Sequence, residues 1–240
     1  MKPKSVSVVI PAYNEEPNIR KTVEDVLSAS RTASTPVEII IVDDHSTDKT
    51  LFVSQQAAKK NKNVIVHHNA VNRGLGYNFI MGIKMARHEY VVMIPGDNEV
   101  GRGSIVTLFR ALQHTKADLL IPYFTNSYIR PKFRQMLSRL YVFFLNIMFG
   151  FNIRYYNGTV LYKTAMVKKL PVSTNGFAYQ AEMVIRLLKS GASFESPGLL
   201  LKERIGGTSK ALSVKSFLSV TGTILYLFWL INIRRWRWKG

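Results

Sequence analysis

The chain of 240 residues contains no cysteine. That absence excludes a disulfide framework, a thiolate metal site and a cysteine nucleophile. Residues 1–10 have no long apolar core before a small-residue cleavage site, so we expect no secretory signal peptide. No internal repeat or low-complexity linker is visible. Because 47% of the residues are hydrophobic, we expect one compact domain with a sizeable core.

Acidic residues are scarce in the second half of the chain. Residues 1–122 carry 15 Lys/Arg and 12 Asp/Glu, whereas residues 123–240 carry 18 Lys/Arg and 3 Asp/Glu. The basic half also holds the longest apolar runs. Basic charge beside apolar segments favours an anionic membrane surface over a nucleic acid. We therefore expect a membrane-surface protein with no specific nucleic-acid partner.

Two apolar segments of the second half are predicted to lie on that membrane. The apolar part of residues 131–151 is too short to span a bilayer, so we expect an interfacial helix there. Residues 217–233 would extend about 25 Å as a helix, against roughly 30 Å of hydrocarbon. Basic residues flank this run on both sides, which fits a single crossing poorly. We expect a membrane-associated helix in a C-terminal segment, residues 211–240, with a single span as the alternative.

Strand and helix patterns alternate in the first half of the chain. Strands are predicted at Val6–Ile10, Val37–Val42, Val64–Val66 and Tyr90–Ile94. Helices are predicted from Pro17 to about Ala29, from Ser46 or Thr47 to about Lys60, and over Tyr77–Ala86. Such alternation predicts an α/β fold with a mostly parallel sheet, whose ligands bind beyond the carboxyl ends of the strands.

Polar clusters directly follow three of the predicted strands. They are Pro11–Glu15, Asp43-Asp44 and Asp97–Glu99. Because the carboxyl ends of parallel strands meet at one edge of a sheet, these clusters should lie close together. Acidic groups at one edge form a candidate site for a cation and a sugar nucleotide.

Four segments resemble a known family. Val8–Glu15 (VVIPAYNE) and Ile41–Thr50 (IVDDHSTDKT) resemble the opening of glycosyltransferase family 2. Asn72–Gly76 (NRGLG) resembles the third element of that family. Arg204–Lys210 (RIGGTSK) resembles the R-x-x-G-x-S-K segment of its dolichyl-phosphate mannose synthase branch.

The resemblance covers roughly residues 5–210 and implies a GT-A nucleotide-sugar fold for a domain at residues 1–210. It also implies an inverting transfer from a donor of the GDP-mannose or UDP-glucose type to polyprenyl or dolichyl phosphate. The implied donor-binding residues are Pro11, Tyr13, Asn14, Glu15, Asp43, Asp44 and Gly74. Asp43 is expected to accept a hydrogen bond from the base, and Asp44 is the weaker candidate. The alternative is that both carboxylates cap a helix beginning near Ser46.

The predicted metal site departs from the family's Asp-x-Asp pattern. Pro95 replaces the first aspartate and cannot ligate a metal, whereas Asp97 matches the second and Glu99 offers a further oxygen. A hard cation needs few protein carboxylates when diphosphate oxygens and water complete its coordination shell. We therefore predict Mg²⁺ or Mn²⁺ held by Asp97 and Glu99, offsetting the charge of the leaving diphosphate. The alternative is an ordinary acidic turn.

The acceptor side also departs from the pattern, because Tyr155 stands where the branch commonly has an aspartate. Glu182 is a candidate catalytic residue, as a general base or as a charge that orients the acceptor or Arg204. A plain helix-start glutamate is the alternative. A phosphate acceptor is already largely ionised near neutral pH, so it needs cations more than a base. The residues implied for that role are Arg130, Arg204 (also a candidate catalytic residue), Ser209 and Lys210.

Three functions remain open. The first is a transferase to polyprenyl phosphate, with its catalytic domain on the cytoplasmic face of a membrane and a partner subunit in that membrane as a further hypothesis. The second is a family relative that glycosylates a hydroxyl of a polysaccharide or lipid glycan. The third is a catalytically impaired nucleotide-binding scaffold, suggested by Pro95 and Tyr155. Metal-dependent turnover of a donor separates the third from the first two.

Overall fold

The chain builds a mixed sheet with helices on both faces, as seen in a computed structural model that describes residues 3–129, 131–172, 174, 176, 178–200 and 214–234. The strands are β1 (Val6–Ala12), β2 (Val37–Asp43), β3 (Val64–His68), β4 (Tyr90–Met93), β5 (Leu119–Leu120), β6 (Tyr123–Phe124), β7 (Leu161–Lys163), β8 (Phe194–Glu195) and β9 (Gly198–Leu199). The α-helices are α1 (Ile19–Thr32), α2 (Thr50–Lys60), α3 (Leu75–Met85), α4 (Arg102–His114), α5 (Lys132–Phe149), α6 (Thr164–Lys168), α7 (Tyr179–Lys189) and α8 (Val214–Phe228). A 3-10 turn at Ser127–Ile129 precedes α5, and a π-helical segment at Trp229–Ile233 follows α8.

The main sheet has seven strands in the order β3-β2-β1-β4-β7-β5-β8. β1 pairs in parallel with β2 and β4, and β2 pairs in parallel with β3. β7 runs antiparallel to both of its neighbours, β4 and β5. The predicted α/β fold with a mostly parallel sheet is therefore confirmed. A second, two-stranded sheet pairs β6 with β9.

The core lies on both faces of the parallel part of the sheet. Every residue of β1 and β2 is buried, as expected for continuous apolar strands covered on both sides. Successive side chains of a strand point to opposite faces. Val8 accordingly packs in one cluster with Val23 of α1 and Leu108 of α4. Val9 packs in a second cluster with Phe79 of α3 and Leu187 of α7. The helices thus leave the carboxyl edge of β1, β2 and β4 to the loops.

The largest boundary error concerns α2, which begins at Thr50 and not near Ser46. The backbone N–H of Thr47 donates to Oδ1 of Asn14 (2.9 Å), and that of Lys49 donates to Oε2 of Glu16 (3.1 Å). These amides bind side chains of the loop after β1 and not helical carbonyls, so the helix starts later. The other predicted boundaries lie within three residues of the observed ones.

The predicted interfacial segment, residues 131–151, contains α5, and the predicted apolar run, residues 217–233, falls within α8 and the π-helical segment. The two elements touch, because Phe149 and Phe228 make an edge-to-face contact with ring centroids 6.5 Å apart. Leu227 is buried in the same core cluster as Phe149. No helix within the described ranges is long and apolar enough to cross a membrane.

Candidate active site

The loops that follow β1, β2 and β4 lie side by side at the carboxyl edge of the sheet. The backbone N–H of Asp44 donates to the carbonyl of Ala12 (2.8 Å), and that of Gly96 donates to the carbonyl of Pro11 (3.1 Å). A Cβ added at Gly96 would lie 3.2 Å from the Pro11 oxygen, so the close approach of these loops favours glycine there. The structure therefore brings the three predicted polar clusters to one edge.

Each of the three loops contains one non-glycine residue with a left-handed backbone. These residues are Asn14 (φ 56°), His45 (φ 64°) and Asn98 (φ 58°). Such conformations cost energy for a residue with a side chain, and they cluster at functional sites where surrounding contacts hold them. Their coincidence at one sheet edge marks this edge as the candidate active site.

Asn14 and Glu15 join the loop after β1 to the loop after β2. The Asn14 N–H donates to Oγ of Ser46 (3.0 Å), and the Glu15 N–H donates to Oγ1 of Thr50 (2.8 Å). The Glu15 carboxylate accepts from the side chain of Asn18 at the start of α1 (2.9 Å). Both predicted donor-binding residues thus fix the shape of the loop, while the side chain of Tyr13 remains 37% exposed beside them.

Asp43 ends β2 and is fully buried. Its Oδ2 lies 2.7 Å from Nδ1 of His68 and accepts the N–H of Ser46 at 3.3 Å. Its Oδ1 is buried and has no hydrogen-bond partner among the described residues. A buried acceptor without a donor costs about 1–3 kcal/mol. The predicted base-binding residue therefore has one oxygen engaged and one oxygen suited to an N–H of a ligand.

Asp44, the weaker of the two predicted donor ligands, has a different environment, and its role in donor binding stays a prediction. Its Oδ1 accepts from Nδ2 of Asn69 (2.8 Å) and from the N–H of Arg73 (2.7 Å), and its Oδ2 accepts the N–H of Gly74 (2.8 Å). Because both oxygens bind protein donors, Asp44 holds the loop before α3. Gly74 has φ +87°, a conformation that favours glycine, and space is open beside its Cα.

The interpretation of Asp43 and Asp44 as mere caps of this helix is wrong, because the first amide of α2 donates to Asp48 and not to either of them. Oδ1 of Asp48 accepts the N–H of Thr50 at the start of α2 (2.9 Å), and Oδ2 accepts the N–H of Glu16 (3.1 Å). Burial raises the pKa of Asp48, but these hydrogen bonds and that of the Thr50 hydroxyl together lower it below its usual range.

The predicted metal ligands lie in the turn after β4, and α1 supports that turn. Oδ1 of Asp97 accepts the N–H of Glu99 (3.1 Å), and both residues are half-buried. Nδ2 of Asn98 donates to Oδ2 of the buried Asp25 (3.1 Å), and Oγ1 of Thr22 donates to the carbonyl of Gly96 (3.1 Å). Within the described ranges no group of three or more His, Asp or Glu residues is arranged to hold a metal. Two carboxylates fit a hard divalent cation whose other ligands are diphosphate oxygens and water.

Glu182 lies in the first turn of α7 and is fully buried. Its Oε1 accepts from Nε (2.9 Å) and pairs with a terminal nitrogen (2.8 Å) of Arg186, itself 2% exposed. Its Oε2 accepts the N–H of Thr174 (3.1 Å). A general base must reach the proton that it abstracts, and this carboxylate is engaged on both oxygens inside the core. In this structure Glu182 forms a buried ion pair with Arg186, and its role as a general base stays a prediction.

The predicted phosphate-binding residues Arg130, Arg204, Ser209 and Lys210 lie outside the described residues. Tyr155, in place of an aspartate, packs edge-on against Phe124 with ring centroids 5.5 Å apart. The next loop residues are also fixed, since the Gly158 carbonyl accepts from Nε2 of Gln180 (2.7 Å). This loop therefore presents an aromatic contact at Tyr155.

His68 and Asp25 are two residues of the site that the sequence reasoning missed. His68 ends β3 and is the direct neighbour of Asp43 in the parallel register. Applying the rule of polar residues at strand ends to the third strand would have found it. Asp25 gives no such signal, because it lies in the middle of α1.

The arrangement of the main sheet and its polar carboxyl edge is that of the GT-A glycosyltransferase fold. Residues 7–170 match glycosyl transferase family 2, and the chain belongs to that family. Glucosyl-3-phosphoglycerate synthase from Mycobacterium tuberculosis, in complex with Mn²⁺, UDP and glucosyl-3-phosphoglycerate, superposes with a TM-score of 0.73. That similarity covers 93% of this chain and 80% of the synthase at 18% identity, so it bears on the fold alone.

Curated relatives differ in how much of their length this chain matches. An uncharacterized protein of Methanocaldococcus jannaschii is 28% identical over 204 residues, which cover 77% of this chain and 82% of that protein. Undecaprenyl-phosphate 4-deoxy-4-formamido-L-arabinose transferase of Photorhabdus laumondii is 33% identical over 116 residues, 48% of this chain and 32% of that enzyme. The chain matches between 18% and 39% of the length of each of five further relatives.

Proposed function

We propose that this protein is an inverting glycosyltransferase that moves a sugar from a nucleotide sugar to a polyprenyl phosphate at a membrane surface. In the reaction, a phosphate oxygen of the lipid attacks the anomeric carbon of the donor sugar. A new carbon–oxygen bond forms, the bond to the diphosphate breaks, and the nucleoside diphosphate leaves with the electron pair. Membership of family 2 supports the reaction class.

The donor binds at the carboxyl edge of β1, β2 and β4 in this proposal. Asp43 offers its unpartnered Oδ1 to the base, and Tyr13 offers an exposed aromatic ring in the loop after β1. Asp97 and Glu99 hold Mg²⁺ or Mn²⁺ together with the diphosphate of the donor. When bound, the cation offsets the charge that develops on the leaving diphosphate. The mycobacterial synthase, which shares the fold, was crystallised with Mn²⁺ and UDP.

The burial of Glu182 is the observation that favours a phosphate acceptor over a hydroxyl acceptor. A hydroxyl acceptor needs a base to take its proton, whereas a phosphate is already ionised. The carboxylate that the sequence suggests as a base is paired with Arg186 in the core. A phosphate acceptor makes that base unnecessary. One relative in the same family carries the name of an undecaprenyl-phosphate transferase. The cations proposed to gather the lipid phosphate are Arg130, Arg204 and Lys210, with the hydroxyl of Ser209.

An apolar face of α5 supports a membrane surface as the place of reaction. The large apolar side chains exposed on this helix are Phe133, Met136, Leu140, Phe143, Phe144 and Ile147. Lys132 and Arg139 of the same helix, together with Tyr128, line an open groove of about 550 Å³. Apolar residues beside cations fit the interface of an anionic leaflet. We propose that this face lies on the cytoplasmic side of the membrane.

Transfer of labelled sugar into extractable lipid tests this function. Purified protein is incubated with polyprenyl phosphate, Mg²⁺ or Mn²⁺, and a panel of labelled nucleotide sugars. We expect one donor to give a mild-acid-labile lipid, and Asp97→Ala to lower its formation at least about 100-fold. Glu89→Ala, which removes an exposed carboxylate at the opposite end of β4, is the matched control. Label transferred to a hydroxyl acceptor, or no turnover of any donor by folded protein, would overturn the proposal.

A further inference from the structure

The two carboxylate oxygens of Asp43 have different surroundings, because only one of them pairs with His68. Oδ2 has two protein donors, Nδ1 of His68 and the N–H of Ser46. An ionised carboxylate oxygen only accepts, so in the tautomer that pairs with it Nδ1 of His68 carries the shared proton. Two donors match the two lone pairs of this oxygen. Oδ1 is buried and has no donor within the described ranges.

The orientation of the His68 ring is fixed from two sides. Nδ1 of His68 forms a hydrogen bond with Asp43. The ring of His45 stacks on the His68 ring, with centroids 5.8 Å apart and planes 29° from parallel. His45 has a left-handed backbone, which places its exposed side chain over the neighbouring strand end. The His68 side chain itself remains 41% exposed, so the ring lies at the surface of the site. The stacked rings therefore keep the Asp43 carboxylate in one orientation.

A carboxylate with one available oxygen distinguishes nucleobases by their donors. Uracil has a single ring N–H between two carbonyls, and that N–H needs one acceptor. Guanine has a ring N–H and an amino group side by side, and this pair binds best to both oxygens of a carboxylate. Cytosine and adenine have no ring N–H on their pairing edge. The charge on Oδ2 would repel a uracil carbonyl, but the two donors already bound to Oδ2 reduce that repulsion.

We propose that His68 is a positioning residue that leaves Oδ1 of Asp43 as the acceptor for a single ring N–H, and that the site thereby selects uridine nucleotides over guanosine and cytidine nucleotides. The inference rests on the proposed nucleotide-sugar function. It narrows the donor to the uridine class, which the family resemblance leaves open.

Equilibrium binding of UDP, GDP and CDP in the presence of Mn²⁺ tests the inference, with the full chain and isothermal titration calorimetry. We expect UDP to bind at least about tenfold more tightly than GDP or CDP. His68→Phe keeps a ring but removes the donor, so UDP affinity should fall about tenfold or more and the preference over GDP should collapse. His68→Asn places a side-chain N–H near the position of Nδ1 and should retain most of the preference.

His67→Phe is the matched control, because it changes the preceding residue of β3, whose side chain points to the opposite face. We expect its preference for UDP to equal that of the wild type. Equal or tighter binding of GDP by the wild type would overturn the inference while leaving the proposed function intact. An unchanged preference for UDP over GDP in His68→Phe would also overturn the inference and leave the proposed function intact. Failure of the folded wild type to bind UDP would also overturn the inference, whereas only failure to turn over any donor of the panel would overturn the proposed function.

Discussion

Nδ2 of Asn98 donates to Oδ2 of Asp25 over 3.1 Å and ties the turn after β4 to the middle of α1. Asn98 has a left-handed backbone and stands between the proposed metal ligands Asp97 and Glu99. Asp25 is 4% exposed and also pairs with Lys21 one helical turn earlier. The bond therefore holds a strained residue in the conformation that gives both ligands their positions.

Removing this hydrogen bond is expected to weaken binding of the cation, although neither proposed metal ligand is changed. Asp25→Ala should lower the apparent affinity for Mn²⁺ about tenfold, as loss of a supporting hydrogen bond does at other metal sites. The measurement is binding of Mn²⁺ by electron paramagnetic resonance with saturating nucleoside diphosphate. Glu24→Ala, an exposed acid on the same helix, controls for the loss of charge. Equal Mn²⁺ affinity in Asp25→Ala and wild type would contradict the supporting role.

The ion pair of Glu182 with Arg186 leads to a prediction about stability. Arg186→Met leaves a buried carboxylate without its partner, which should lower the free energy of unfolding by about 3–5 kcal/mol. The double variant Glu182→Gln with Arg186→Met removes both charges and should recover much of that loss. Urea denaturation of the three proteins measures the effect.

The same variants separate a structural role of Glu182 from catalysis. We expect the double variant, where it folds, to keep transfer within about tenfold of the wild type, because no proton-abstracting group is lost. Loss of transfer by more than about 100-fold in a stably folded double variant would restore Glu182 as a catalytic residue. Lys189→Met, on the next turn of α7 and partly exposed, is the control for a lost cation.

The sequence was informative where local pattern decides structure. Continuous apolar runs predict β1 and β2, and the rule for parallel sheets places the polar clusters at one edge. The start of α2 could not be predicted, because the amides of Thr47 and Lys49, just before the helix, bind Asn14 and Glu16, 33 residues away in sequence. The partner of Asp43 depends on the register of β2 against β3, which local pattern does not encode.

Glu182 illustrates a different limit of sequence reasoning. The spacing of Glu182 and Arg186 is visible in the sequence and is the spacing of a helical ion pair. Whether such a pair faces solvent or core depends on how α7 packs against the sheet. Here α7 contributes nine buried residues, so the pair is enclosed. The spacing predicts the ion pair, but only the packing of α7 shows that the pair is buried.

Asp118 and Lys163 give a prediction for the dependence of stability on pH. Lys163 ends β7 and its Nζ lies 2.7 Å from Oδ1 of Asp118, just before β5. The hydrogen bond from Lys163 lowers the pKa of Asp118 below 3.8 and raises that of Lys163 above 10.5, although burial opposes both shifts. The stabilisation is therefore full between these values. It is lost as pH falls through the lowered pKa of Asp118 or rises through the raised pKa of Lys163.

The contribution of this ion pair to stability is measured by comparing the free energy of unfolding of the wild type with that of Lys163→Met. The wild type should exceed the variant in free energy of unfolding by less than about 1 kcal/mol near neutral pH, because both side chains are partly exposed. The difference should shrink below pH 3.8 and again above pH 10.5. Lys169→Met, another cation of the same region, should show neither change. A difference that stays constant from neutral to strongly acid pH would rule out the pairing of Asp118 with Lys163.

The exposed aromatic pair of α5 tests the proposed membrane face. Phe143 and Phe144 are 55% and 57% exposed, and their rings contact each other with centroids 5.7 Å apart. Phe143→Ser with Phe144→Ser removes apolar surface, so binding to vesicles that contain phosphatidylglycerol should weaken at least about tenfold. Phe52→Ser is the control, because Phe52 is 59% exposed on α2. Co-sedimentation should show weaker binding at high salt and to phosphatidylcholine alone, since the cations of α5 act through screened charges. Equal binding by the double variant and the control would place the membrane contact elsewhere on the chain.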